Sequence, residues 1–274
     1  MKKQILATIF ALALTSTQAE PLKFAWQQHH AQVTESGNNG QFEVKAHYSI
    51  GLEKQPDGNF LLSQSERQII SFNNQAPSKA ITEMWQKVQP PSPKIIIDKQ
   101  GLPVDIADWS SYYDDMLQRM GTQSSSKMNN QQISLLIKEK AMQEPWCYWV
   151  CSFVDQDPKQ LPAPQTEIDT ISGIPFIRSS EYRLIKQNKN EATIRYTVQL
   201  KLDEKNLIGK NLFGMKLTEK KRSEWQPTVA RAEKNVEVTT TLDIRTMQPT
   251  DVSVVENLPN GKINKRRYQF RWLQ

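Results

Sequence analysis

Apolar and polar residues alternate over long stretches of the chain, a period of two that puts apolar side chains on one face of a half-buried strand. Val44, Ala46, Tyr48, Ile50 and Leu52 alternate with Lys45, His47, Ser49 and Glu53. Pro56-Asp57-Gly58-Asn59 follows, and a second run starts at Phe60. This predicts a hairpin, since proline presets a turn dihedral and glycine accepts the positive φ that twisted strands require. A second hairpin is written by Ile95 to Ile97, the turn Asp98-Lys99-Gln100-Gly101, and Leu102, Val104 and Ile106. Beyond residue 180, Ala192, Ile194, Tyr196, Val198, Leu200 and Leu202 oppose Thr193, Arg195, Thr197, Gln199 and Lys201. Val236, Val238, Leu242 and Ile244 repeat the scheme, and Val252 and Val254 lead through Leu258-Pro259-Asn260-Gly261 to Tyr268, Phe270 and Trp272. About ten strands fit this template, mostly joined as hairpins and so antiparallel.

Between residues 108 and 155 the period lengthens to three or four. Trp109, Tyr112, Tyr113, Met116, Leu117 and Met120 fall on one helical face, with Asp108 as the expected N-cap and Gly121 as the stop. The polar stretch Thr122 to Lys127 precedes a second helix with Ile133, Leu136, Ile137 and Ala141 on one side, closed near Pro145. A shorter helix is predicted from Ser78 to Val88, stopped by Pro90-Pro91. Strands, then helices, then strands is the order of an α+β fold. The expectation is a curved antiparallel sheet or half-barrel with a helical insert, about residues 108–155, covering one face. A Pro-rich crossing from Asp157 to Pro164 separates the insert from the second strand group. We expect one domain over residues 20–274, because neither strand group alone has the helices to cover a sheet.

The amino terminus adds an address. Lys2 and Lys3, an apolar run from Ile5 to Leu14, and Thr17-Gln18-Ala19 have the layout of a secretory signal peptide, cleaved after Ala19. Residue 20 is Glu rather than Cys, so the mature end offers no thiol for lipid attachment. No later stretch approaches the roughly 18 apolar residues of a membrane helix. A soluble periplasmic or secreted product is expected. Losing Lys2 and Lys3 lowers the formal charge of +6 by two, to +4. That mild excess gives no footing for nucleic-acid binding.

Composition limits the chemistry. The only cysteines, Cys147 and Cys151, can pair in an oxidising compartment if the segment is helical or turned. An extended strand would hold them about 13 Å apart. A redox motif would have two intervening residues rather than three, and no His or Met follows closely enough to complete a copper site. We read the pair as a structural disulfide beside a packed cluster of Trp146, Trp149, Phe153 and Val154. The three histidines, His29, His30 and His47, leave residues 48–274 without one. A histidine-based triad or zinc site would have to recruit among them, and His47 falls on the polar side of its strand. Asp105, Asp108, Asp114 and Asp115 cluster at the aromatic helix, where acids suit the helix dipole. A carboxylate-based hydrolase would instead need two of them held apart in a cleft. No phosphate loop, metal site or cofactor motif is complete, and no enzymatic activity is expected.

Charge concentrates late in the chain. Lys262, Lys265, Arg266, Arg267 and Arg271 stand together without an acid, and Lys216, Lys220, Lys221 and Arg222 form a second group. An amphipathic strand accounts for Arg267, Gln269 and Arg271 facing outward with Tyr268, Phe270 and Trp272 inward. The same charges suit an anionic partner, which makes Arg266, Arg267 and Arg271 candidate anion-binding residues. Trp109, Tyr112, Tyr113, Met116 and Met120 are the candidate ligand-facing residues, as amphipathic aromatics beside a sheet.

The signal peptide, the Ile95 to Ile106 hairpin and the aromatic helix from Trp109 to Met120 together resemble periplasmic lipoprotein-carrier (LolA/LolB-type) half-barrel proteins, and exported proteins of Gram-negative bacteria more widely. The resemblance covers about half of the chain at the level of pattern and maps no family site residue onto it. It implies an exported half-barrel whose apolar concavity holds acyl chains. The expected function is therefore non-covalent binding of an amphiphile, a lipoprotein or another envelope component. The alternative is an envelope assembly factor docking through the basic strand.

Overall fold

The computed structural model describes residues 29–120, 130–143, 145–151, 153–154, 163–168, 174–207, 211–212, 215–216, 218, 233–258 and 261–273. The leader at 1–19, the polar stretch at 122–127, most of the Pro-rich crossing, and Lys220, Lys221 and Arg222 lie outside the described residues. The elements run β1 (His29–Asn38), β2 (Glu43–Lys54), β3 (Phe60–Gln64), β4 (Gln68–Phe72), α1 (Lys79–Val88), β5 (Lys94–Ile97) and β6 (Pro103–Ala107). They continue with α2 (Trp109–Met120), α3 (Asn130–Gln143), one π-helical turn (Cys147–Cys151), β7 (Gln165–Ile168), β8 (Pro175–Gln187) and β9 (Glu191–Leu202). The short α4 (Glu204–Leu207), the two-residue pair β10 (Asn211–Leu212) and β11 (Met215–Lys216), then β12 (Lys234–Asp243), β13 (Pro249–Asn257) and β14 (Ile263–Leu273) complete them.

Local chemistry explains the boundaries. In the β2–β3 turn the Gly58 amide donates to the Gln55 carbonyl at 2.9 Å and Gly58 sits at φ 86°. In the β5–β6 turn Gly101 sits at φ 91°, while the Asp98 carboxylate accepts from the Gln100 and Leu102 amides. Both are turns that a side chain at the glycine would strain. Ser78 caps α1 by accepting from the Ile81 amide at 3.3 Å, and prolines 90 and 91 prevent its continuation. Asp108 corrects an expectation. It precedes α2 at φ 54°, in the left-handed region rather than the extended conformation of an N-cap.

Among the described residues, twelve strands form one antiparallel sheet rather than about ten. The order is β6-β5-β3-β2-β1-β14-β13-β12-β9-β8-β7, with β4 also paired to β2. Two meanders, one from each half of the chain, are joined where β1 pairs with β14. Consequently β6 and β7, neighbours in sequence apart from the insert, are the two edges of an open sheet. Ten strand spacings of about 4.8 Å lie between them, roughly 48 Å on a flat sheet. A connection between those edges has to cross a face, and the helical insert is that connection. Register shifts at Lys45/Ala46, Ile96/Ile97, Thr241/Leu242 and Leu184/Lys186 supply local bends.

One buried cluster takes side chains from both meanders. Val33, Tyr48, Ile50, Leu52, Leu62 and Ile95 of the first meet Ile194, Val238, Leu242, Val252 and Tyr268 of the second. Trp146, Trp149, Val150, Phe153 and Val154 lie in the same cluster, each between 0% and 2% exposed. Full burial of such side chains supplies roughly 1.5–3 kcal/mol each. A smaller cluster, Ile174, Phe176 and Leu207, sits beside β8 and α4. The other face of the central strands is polar, as in a sheet covered on one side only.

Candidate functional site

The inward row of β14 reads Arg266, Tyr268, Phe270 and Trp272, while Lys265, Arg267, Gln269 and Arg271 are exposed on the other side. Trp149, from the π-helical turn, covers the middle of this row. Its ring centroid lies 5.2 Å from Phe270 and 5.5 Å from Tyr268, both edge-on, and 6.5 Å from Tyr48 of β2. Trp146 is tied to the β5–β6 turn by its indole N–H, which donates to the Gly101 carbonyl at 2.9 Å. Cys147 and Cys151 form a disulfide with Cα atoms 4.3 Å apart. The segment is turned, as the spacing requires, and it plugs the centre of the inner face.

Towards the Arg266 end the plug stops and a cavity of about 540 Å³ opens between sheet and helices. This is within the usual range for small-molecule pockets. Its walls are largely apolar: Trp85 and Val88 of α1, the prolines that follow, Met116 of α2, and Ile137 and Ala141 of α3. Its polar part is built by the sheet. The Arg67 guanidinium donates to the Glu35 carboxylate at 3.0 Å, with the two side chains only 18% and 21% exposed. The Arg67 guanidinium carbon is 5.0 Å from the Tyr48 ring centroid, close enough for a cation–π attraction. The indole N–H of Trp85 donates to the Arg67 carbonyl at 3.2 Å and so fixes α1 above the cavity. Gln64, Gln89, Tyr112, Lys140, Arg266 and Tyr268 complete the polar lining. The Gln64 amide is buried there with neither its nitrogen nor its oxygen hydrogen-bonded.

The electrostatics of this end are one-sided: Arg67, Arg266 and Lys140 face one carboxylate, Glu35, among the lining residues. Burial opposes the charge on Arg67, but the Glu35 carboxylate, with Tyr48 and Tyr268, outweighs it and raises the guanidinium's pKa. Burial first, and then Glu35, push the Tyr268 hydroxyl far up against the pull of Arg266 and Arg67. Burial pushes Tyr112 up to about 12. Both phenols therefore stay protonated at neutral pH and offer hydrogen-bond donors.

The structure separates the candidate residues. Tyr112 and Met116 line the cavity. Trp109 instead packs with Tyr112 and Tyr113, at 5.9 Å and 5.4 Å between ring centroids, with the Lys138 ammonium 5.6 Å from its own centroid. Neither Trp109 nor Tyr113 is among the cavity walls. The side chain of Met120 lies outside the described residues. The three arginines do not form one patch, because adjacent residues of a strand face opposite ways. Arg266 lines the cavity, whereas Arg267 is on the outer face, held bidentately by Asp251 at 2.6–3.1 Å. Arg271 borders a polar hollow on that outer face, of about 600 Å³, with Gln32, Thr34, His47 and Gln269. Glu35, Gln64 and Arg67 carry no sequence signal as a set, since they come together only through strand pairing. The inward position of Arg266 was readable from its even spacing with Tyr268.

Two of the acids near α2 are engaged elsewhere. Asp105 pairs with Lys138 at 2.7 Å, and that hydrogen bond, with the Ile106 amide, holds its carboxyl below the usual range. Asp115 pairs with Arg119 at 3.0 Å. Among the described residues no three His, Cys, Asp or Glu side chains are grouped to hold a metal. No helix among them is long and apolar enough to cross a membrane.

No protein-family model and no curated protein matches this chain. Among solved structures, the crystal structure of MucB in complex with MucA(peri) is similar at 10% identity, over 89% of each chain, with a TM-score of 0.13. At that level the likeness carries no argument about fold or function.

Proposed function

We propose that the mature chain is one exported domain that binds an amphiphile non-covalently, without catalysis, in the cavity beneath α1, α2 and α3. The observation that carries this reading is the composition of that cavity. Its helical walls are apolar apart from Lys140 while its floor on the sheet is charged, the two environments that a molecule with a tail and a polar end needs. The leader pattern at 1–19 and the disulfide support an envelope address, since such bridges persist in oxidising compartments. The occupant is then a lipid, a lipidated protein or another envelope component. No cofactor is required.

The outer face of β14 supports a docking role less well. Arg267, the centre of that basic stretch, already spends its guanidinium on Asp251. The test is native mass spectrometry of the protein released gently from the periplasm, with a lipid transfer assay beside it. Bound amphiphile and transfer are expected. Unliganded chain throughout, with no transfer, contradicts the proposal.

A further inference from the structure

Gln64 ends β3 on the covered face of the sheet. It follows Phe60 and Leu62 at even spacing, both buried, and pairs with Ile50 of β2, which is 2% exposed. Directly opposed residues share a face, so its side chain belongs to the inner one. There it brings an amide with two donor hydrogens and an acceptor oxygen, and both polar atoms are buried without a hydrogen-bond partner. Lost hydration without compensation is rare in native proteins and costly where it occurs. The surroundings explain why this amide is left over. Arg67 gives its guanidinium to Glu35, Trp85 gives its indole N–H to the Arg67 carbonyl, and Arg266 bonds the Tyr268 hydroxyl. The pairing of β3 with β5 ends two residues earlier, at Leu62 and Ile95. Continued by two residues, that register meets Pro93, which has no N–H to donate. Rotation about the side-chain torsions of Gln64 turns its amide from this wall into the cavity that the residue lines.

We infer that Gln64 sets the specificity of this cavity, its amide receiving a neutral head group that presents a donor and an acceptor side by side, a vicinal diol or a primary carboxamide. This role rests on the amphiphile reading above and specifies the polar end. Both amide atoms are unmet in the free chain, so a ligand that meets them gains two hydrogen bonds and breaks none. An ester offers acceptors alone and leaves the amide oxygen unmet. A secondary amide, being trans, points its N–H and C=O apart and meets only one of the two atoms. The cations of the lining are less suited to fix a head group. Arg67 and Arg266 are engaged on the sheet, and Lys140 is exposed on α3. The tail runs from Gln64 towards Met116 and Val88, where the walls are apolar.

The experiment titrates the mature chain with monododecanoylglycerol, dodecanamide, methyl dodecanoate and dodecanoate, all below their micellar or solubility limits. The glycerol and methyl esters share one acyl chain and no charge, so the diol is what differs between them. The glycerol ester, dodecanamide or both are expected to bind at least about tenfold more tightly than the methyl ester, the scale of one or two hydrogen bonds. Whichever does so identifies the source of the paired donor and acceptor. Gln64→Met keeps the length of the side chain and removes both polar atoms. It should bring that preference to within about twofold and leave methyl dodecanoate within about twofold. Its melting temperature should fall by no more than about 4 °C, since the free chain loses no bond. A second readout needs no variant: the side-chain amide resonances of Gln64 should move further with the preferred ligand than with the methyl ester. Equal affinity for the three neutral ligands, equal shifts, or an unchanged preference in Gln64→Met overturns the specificity role and leaves amphiphile binding standing. Dodecanoate binding tightest, with Gln64→Met indifferent, gives the polar end to the cations and overturns the role as well. A larger fall in melting temperature makes the amide a structural group and overturns it on that ground. Failure of all four ligands overturns the amphiphile reading itself, and the role of Gln64 with it.

Discussion

Two regions of the same inner face are built to opposite ends. In the middle, Trp146, Trp149, Val150, Phe153 and Val154 are sealed against both meanders, and the segment is tied by a disulfide and by the Trp146 bond to Gly101. At the Arg266 end, α1 covers the sheet without burying one of its own residues, and Met84 and Val88 remain 52% and 65% exposed. Both regions contain tryptophan and aliphatic side chains, so composition alone does not separate them. What separates them is the floor. Phe270, Val33 and Tyr48 give the plug an apolar bed, whereas Glu35, Arg67 and Arg266 give the helices a charged one that they cannot pack against tightly. A polar floor under apolar walls keeps a cavity open.

The largest expected effect tests the sealed region. Trp149→Ala should cost about 3–5 kcal/mol in denaturant unfolding, as for other buried tryptophans. Trp85→Ala should cost about 1 kcal/mol, the scale of its lost hydrogen bond to Arg67. Equal losses would erase the distinction between the regions. Next, Glu35→Gln leaves the four-fifths-buried Arg67 without its carboxylate and should cost roughly 2 kcal/mol in the same measurement. Replacing both cysteines with serine should cost about 2 kcal/mol, the loop-closure entropy of so short a ring. Ligand titrations of that variant should be unchanged if the bridge serves only the plug. Ala141→Phe should fill the cavity, shifting stability by less than about 1.5 kcal/mol, and reduce amphiphile binding at least about tenfold. Stability unchanged together with binding unchanged would place the ligand elsewhere.

The smallest effect is a pH dependence away from both regions. The Asn206 amide, then the Thr166 hydroxyl, hold the Asp203 carboxyl below the usual range. Its folded pKa is thus lower than its unfolded one, so its contribution is full above about pH 4 and lost as pH falls through the folded value. Denaturant melts between about pH 5 and about pH 3 should show a shallower acid loss for Asp203→Asn than for the parent chain. Identical slopes would show that the carboxylate is not stabilised by those donors.

The meanders were legible because period two is local. The alternation at 44–52, 192–202 and 268–272 specified strands, inward faces and hairpins that the sheet contains. The turned Cys147–Cys151 segment was equally legible, since only that conformation brings the two Cα atoms close. Pairing of β1 with β14 was not, because it joins residues more than 200 positions apart and no local pattern encodes such a partner. The cavity floor depends on that pairing: Glu35 is opposite Tyr268, and Gly37 opposite Arg266, only in this register. The aromatic stripe of α2 overstated its own role for the same reason. The five candidate residues of α2 do not all reach one neighbour, and Trp109 packs instead on Tyr113 of its own helix and against Lys138 of α3, away from the cavity.

The most direct measurement is a methyl NMR titration of ¹³C-methyl methionine chain with palmitate. Met116 lines the open cavity, and Met247 is 6% exposed in the core shared with the plug. The account predicts a saturable shift of the Met116 methyl while Met247 stays in place. A Met116 signal unmoved at saturating palmitate, or a Met247 signal moving equally, would contradict it.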